Sequence, residues 1–205
     1  MTFQLTLEEG MLLVNLARQT VIEYLKSGKI LHVPKSVSPK LMKKAGVFIT
    51  INAFHNGAKS LRGCIGLPYP TTHLIQAVID SALSAATRDP RFSPVTPQEL
   101  DHITFEVSVL TPPKRVHVEK PTDYPLEIEV GRDGLVVEKG YRKGLLLPQV
   151  PVEYEWNEEE FLCQCSMKAG LSPDSWLLKD TKIFRFQAII FEETSPKGKI
   201  EMKNI

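Results

Sequence analysis

An arginine and a cysteine two residues apart, set between glycines in Leu61-Arg62-Gly63-Cys64-Ile65-Gly66, make the stretch of this chain with the strongest claim to chemistry. In an extended strand, residues two apart project from one face, so the Arg62 guanidinium and the Cys64 thiol are expected side by side. A neighbouring cation favours thiolate over thiol and makes the sulfur nucleophilic. Gly63 and Gly66 mark a bulge, or a place where another backbone or a ligand comes close. The bland alternative is a small residue filling space beside a thinned strand, since free cysteine is among the most buried residue types.

A second group of charges lies in Asp89-Pro90-Arg91-Phe92-Ser93-Pro94, where two prolines restrict their own φ and that of the residue before each. Arg62 and Arg91 together could clamp a carboxylate or phosphate in bidentate fashion; taken alone, Arg91 would pair with Asp89 and pin the loop. Gln149, on the proline-stiffened exit of its own strand, offers a neutral donor and acceptor or simple backbone capping. His73, in the first turn of a helix just after the Cys64 strand, is the nearest candidate base, with plain solvation as its alternative. The candidate set is therefore Cys64 and His73 for catalysis, and Arg62, Asp89, Arg91 and Gln149 for substrate binding. No metal site is expected: Cys163 and Cys165 on a helix point about 200° apart, and no pair of histidines has ligand spacing. No Walker loop, G-x-G-x-x-G or serine elbow is present, so the sequence names no cofactor; Gly131-Arg132-Asp133-Gly134 reads as a turn.

The elements that must position these residues follow from capping and periodicity. Thr6-Leu7-Glu8-Glu9 has capping-box spacing and predicts a helix from Leu7 to Ser27, with Val14, Ala17, Val21 and Leu25 on one face and Gly28 as its stop. The segment from Lys29 to Lys44, with Lys35, Lys40 and Lys43, reads as a solvated connection. Val47 to Phe54 predicts a strand, Asn56-Gly57 a hairpin turn, and the Cys64 strand its return. After Pro68 and Pro70, Thr71 or Thr72 caps a second helix whose inner face carries Leu74, Ala77, Val78, Ser81, Ala82 and Ala85. Pro97 to Leu100 predicts one helical turn, and Ile103 to Leu110 a half-buried strand. Val116 to Val150 reads as all-β: a strand over Leu126 to Val130, a turn at Asp133-Gly134, a strand over Leu135 to Val137 and a turn between Gly140 and Gly144. Asn157 caps a third helix that opens with Glu158, Glu159 and Glu160, buries Phe161, Leu162, Cys165 and Ala169, and stops at Gly170. A last strand covers Phe184 to Ile190, and the tail from Glu192 to Ile205 reads as polar and frayed.

At 205 residues the chain suffices for one large domain or two small ones sharing a core. With 25 basic and 24 acidic residues its formal charge is +1, so nothing global draws it to nucleic acid or an anionic membrane. The start has no basic n-region, and no stretch approaches the roughly 20 apolar residues of a membrane span. Three cysteines do not make a disulfide framework and fit a reducing compartment, so a cytoplasmic location is expected.

Four blocks, Leu61 to Gly66, Asp89 to Phe92, Leu145-Leu146-Leu147-Pro148-Gln149-Val150 and Lys168-Ala169-Gly170-Leu171, together resemble the AMMECR-type domain family, over a span from about Leu7 to about Phe191. The resemblance implies an α+β fold, a mostly antiparallel sheet flanked by helices, with a large domain and a smaller subdomain. On this reading residues 1–205 form a single domain of that type, with the subdomain within about 116–156. It further implies association or fusion with Memo-like and radical SAM proteins in many prokaryotes, and it carries over no settled activity. Three functions stay open: an enzyme or small-molecule-binding protein built around Cys64; a non-catalytic adaptor for a Memo-like or radical SAM partner; and nucleotide or RNA binding, which the near-neutral charge disfavours.

Overall fold

The computed structural model describes residues 4–34 and 37–203. Lys35 of the basic connection, the first three residues and the last two lie outside the described residues. Helix α1 (Leu7–Ser27) starts on the expected capping box: Glu9 N–H donates to the Thr6 hydroxyl, and the Glu9 carboxylate accepts from Thr6 N–H. It stops at Gly28, whose φ of 71° is left-handed, as the sequence predicts.

Strands β1 (Gly46–His55) and β2 (Ala58–Leu67) form the expected hairpin around Asn56-Gly57. They continue into α2 (Leu74–Thr87) and β3 (Ile103–Leu110). With β8 (Ala188–Glu193) and β9 (Ile200–Lys203) these strands make a five-stranded sheet in the order β2-β1-β3-β8-β9. β1 runs antiparallel to both β2 and β3, and β8 to β9. Leu13, Val14, Ala17 and Val21 of α1 and Ala77, Val78, Ala82 and Ala85 of α2 bury against Val47, Ile49 and Ile51 of β1 and Phe105 and Val107 of β3. A side chain at Gly10 would overlap the Phe191 ring, so α1 lies directly on β8 there.

The second compact unit spans Thr111–Ala188, while the first takes the chain up to Leu110 and again from Ile189. Its four-stranded sheet runs β4-β7-β5-β6, from β4 (Lys114–Arg115), β5 (Gly134–Lys139), β6 (Arg142–Leu146) and β7 (Lys182–Phe186). Its core is Phe161, Leu162 and Cys165, set against Leu135, Val137, Ile183 and Trp176. The first three come from α5 (Glu158–Lys168), which opens on an Asn157–Glu160 capping box.

Several elements differ from the sequence reading. The expected strand over Leu126 to Val130 is absent: Pro121 opens a 3-10 turn, Pro125 sits at the start of α3 (Tyr124–Glu127), and Leu126 is 84% exposed. Proline at the first turn favours helix and removes a ladder donor. Neither Thr71 nor Thr72 caps α2; His73 occupies that position without a side-chain cap, and its backbone bridges to Lys44. The lysine-rich connection is anchored rather than wholly solvated, because Leu41 is fully buried and its carbonyl accepts from Ile75 N–H. The apolar run from Phe184 to Ile190 breaks at Gln187 into β7 and β8, which serve different sheets. The tail read as frayed forms β9 as far as Lys203. Among the described residues no helix is long and apolar enough to cross a membrane.

The interior of the first unit holds a charge pair that periodicity did not reveal. Arg18 of α1 donates through Nε and Nη2 to both oxygens of Glu193, at 2.6 and 2.5 Å, and to the carbonyls of Leu100 and Ile103. Glu193 also accepts from Phe105 N–H, and the guanidinium lies over the Phe105 ring. Each of the three guanidinium nitrogens is thus matched in a site closed to water, the condition under which a buried pair holds. Replacing one partner strands the other charge. Arg18→Met is expected to lower stability by about 3–5 kcal/mol, read by urea unfolding, and adding Glu193→Leu should recover part of that loss.

Candidate functional site

β2 is an outer strand, and its register explains where its polar groups go. Cys64 lies opposite Thr50 and Gly63 opposite Ile51, but the next partner of Asn52 is Leu61. Arg62 is therefore the extra residue of a β-bulge, and the simple alternation that put Arg62 and Cys64 on one face is broken at that position. Gly63 is needed for a different reason from ligand approach: a Cβ there would stand 2.3 Å from the Ala85 carbonyl oxygen, so α2 packs directly on the strand.

The outward-facing peptide groups of Cys64 are taken by side chains of the Asp89–Arg91 loop. Cys64 N–H donates to Asp89 Oδ2 at 2.8 Å, and Arg91 Nη2 donates to the Cys64 carbonyl at 3.3 Å. Arg91 also donates to Asp89 through Nε (2.9 Å), Nη2 (2.7 Å) and its own amide (3.1 Å). The Asp-Pro-Arg loop thus acts as a short substitute strand that closes the sheet edge at one residue. The Asp89 side chain is only 2% exposed, and the Arg91 hydrogen bonds outweigh burial to hold its carboxyl well below the usual carboxylate range. The pairing of Arg91 with Asp89 is the one weighed from sequence.

Arg62 turns away to the same loop and the helical turn after it. Its Nε donates to Glu99 Oε1 at 2.6 Å, Nη2 to Glu99 Oε2 at 3.3 Å, and Nη1 to the Ser93 carbonyl at 2.9 Å. Burial alone would raise the Glu99 pKa, but its hydrogen bonds with Arg62 and Thr96 lower it overall. Both guanidinium groups flank the Phe92 ring, at 5.9 Å for Arg62 and 5.5 Å for Arg91.

The thiol has other neighbours than expected. Thr50 Oγ1 donates to Cys64 Sγ at 3.4 Å, and Thr50 lies opposite Glu106 on β3. Burial pushes the thiol pKa up; the Thr50 hydrogen bond and the Arg91 charge oppose that shift, and the Glu106 and Asp89 charges add to it. Cys64 is therefore a protonated thiol at neutral pH, and Arg62 is not the cation that acts on it. Glu106, buried with Thr104 and Ser108, accepts from the Ser108 hydroxyl and pairs with Lys203 at 3.6 Å. These three alternate with Ile103, Phe105 and Val107, a pattern read as one wet face; in the structure β3 is buried on both. Glu106 and Glu99 were thus missed, since only tertiary register brings them to Thr50 and Arg62.

His73 is exposed, and no hydrogen bond or charge interaction links it to Cys64. Gln149 is buried in the second unit as the first residue of α4 (Gln149–Glu153), not on a strand exit. Cys165 is sealed between β5, β6 and α5, where burial pushes its thiol up to about 12. Cys163 accepts from the Trp176 indole N–H. Among the described residues no group of three or more His, Cys, Asp or Glu is placed to hold a metal ion.

Comparison with known proteins gives a consistent relation. The AMMECR1 family model matches residues 14–191. A protein of Thermococcus gammatolerans is 52% identical over 197 residues, 96% of each chain. A protein of Methanocaldococcus jannaschii is 49% identical over 201 residues, 98% of each. The crystal structure of the uncharacterized protein PH0010 from Pyrococcus horikoshii superposes with a TM-score of 0.93 at 51% identity, covering 97% of this chain and 98% of that one.

The Asp89 geometry sets a pH dependence. A carboxyl whose folded pKa is depressed contributes stability above its unfolded pKa of about 3.9 and loses it as pH falls through the folded value. Asp89→Asn, which breaks the Arg91 fork, is expected to cost about 1–3 kcal/mol at pH 7. The gap from wild type should narrow as urea unfolding is repeated from pH 5 down to about 2, because the unfolded chain's Asp89 takes up a proton over that range while the folded carboxylate, held well below it, does not.

Proposed function

The chain belongs to the AMMECR1 family, and on that premise we propose that its first unit is a non-catalytic binding module, an adaptor that presents the Asp89–Phe92 loop to a protein partner. The observation that carries this reading is the closure of the site upon itself. Asp89 takes the Cys64 amide and the Arg91 fork, Glu99 takes Arg62, and burial keeps Cys64 as a thiol. A nucleophile needs a lowered pKa or an adjacent base, and the charges here favour the opposite state. What remains for recognition is stiff and outward: the Arg91 side chain is 46% exposed, its Nη1 has no partner among the described residues, and the Phe92 ring stands beside it. Arginine and aromatic side chains held in one conformation are the residues that dominate protein interfaces. Memo-like and radical SAM proteins are the partner classes the family resemblance implies, and a cytoplasmic location belongs to the same reading. Nucleic acid fits less well, because both arginines are already matched by carboxylates.

A second reading is favoured by one arrangement, the Thr50 hydroxyl and the Glu106 carboxylate next to the thiol. In it Cys64 gives its proton towards Glu106 and reacts with a small-molecule substrate held by Arg91. Alkylation separates the two. With Cys163→Ser as background, iodoacetamide is expected to label native Cys64 at least about tenfold more slowly than the urea-unfolded chain. Labelling as fast as the unfolded chain would favour the reactive-thiol reading instead. In co-purification with a Memo-like protein, Arg91→Glu should reduce capture while Cys64→Ser leaves it unchanged; retention by Arg91→Glu would defeat the adaptor reading.

A further inference from the structure

The second unit contains an open depression of about 440 Å³ between the β5–β6 hairpin and the segment around residues 171–180. The hairpin turn is Gly140-Tyr141, closed by the paired Lys139 and Arg142. Gly140 has a φ of 60° and Tyr141 does not share its sign, the backbone of a type II′ turn with glycine in its first central position. This turn leaves Tyr141 90% exposed, its ring 6.0 Å from the Arg142 guanidinium. Arg142 Nη1 donates to the Gly170 carbonyl at 2.6 Å, which fixes the direction of the fork, while Nε and Nη2 have no partner among the described residues.

The rest of the lining has two kinds of surface. Leu171 and Leu178 supply an apolar wall. Ser172 and Ser175 share one hydrogen bond between their hydroxyls at 3.1 Å, so one of the two protons is left to donate. Lys139 pairs with Asp180 at 3.2 Å. Two cations against one carboxylate give the depression a net charge of +1 and an excess of donors over acceptors.

We propose that this depression binds a small molecule that carries an anionic group, carboxylate or phosphate, on an aromatic or apolar body. Arg142 takes the anion through its unused edge, and Tyr141, Leu171 and Leu178 hold the body. An oriented guanidinium with free donors suits planar or tetrahedral oxyanions, and an aromatic ring left almost wholly in water gains by stacking. The volume falls in the range of roughly 300–1,000 Å³ found for small-ligand sites. The inference uses residues of the second unit only and stands apart from the adaptor reading of the Asp89 loop.

Amide chemical shifts of the full chain, followed during titration with phenyl phosphate, phenylacetate or the neutral benzyl alcohol, test it. Saturable shifts confined to residues 139–142 and 170–180 are expected with at least one anion, and the stronger of the two identifies the oxyanion class. Arg142→Gln should weaken binding by about tenfold or more, while Lys114→Gln, an exposed cation of β4, should not. The same spectra report whether each variant is folded. No saturation by either anion up to about 20 mM, equal binding of the alcohol, or wild-type affinity in a folded Arg142→Gln would overturn the proposal.

Discussion

One carboxylate governs the candidate site. Asp89 is almost wholly removed from water, and it stays ionised because three donors of Arg91 and the amide of Cys64 converge on it. An isolated buried charge is intolerable, so the loop has no freedom to leave the strand without leaving that charge uncompensated. The consequence runs in both directions: β2 gains a partner at a point where no further strand pairs with it, and the loop gains a rigid base. Chemistry at Cys64 is constrained by the same bond, since the peptide that carries the thiol is fixed on both its donor and its acceptor.

The parts of this fold that were legible in the sequence are those decided within a few residues. The capping box at Thr6, the N-cap at Asn157, the glycine stop at Gly28 and the Asn56-Gly57 turn all depend on contacts within a few positions along the chain. The pairing of Asp89 with Arg91 was legible for the same reason. The bulge was legible only as one of two meanings of Gly63; that Arg62 is its extra residue is a property of register between two strands and leaves no mark on periodicity. Glu99 and Glu106 belong to elements that had been read correctly as a helical turn and a strand; their roles arise only when Arg62 and Thr50 are brought beside them. At residues 121 and 125 proline decides for helical turns against the apolar alternation around them.

The polar face of β3 shows how the two kinds of information differ. Thr104, Glu106 and Ser108 obey strict alternation, and alternation alone implies a wet face. Their burial turns that face into a second interior, where a carboxylate must be matched by Ser108 and Lys203 and where it adds to the upward shift of a thiol two strands away, across β1. A pattern in the sequence thus identifies which residues share a face, while the charge state of that face depends on what covers it.

The Arg18–Glu193 pair has a consequence for biosynthesis. Its two members are separated by 175 positions, with the whole second unit encoded between them. At translation rates of about 5–20 residues per second, the nascent first helix waits on the order of ten seconds or more for its counter-ion. During that interval α1 cannot dock in its final place without burying a lone guanidinium, so the first unit is completed only once its last strands are made.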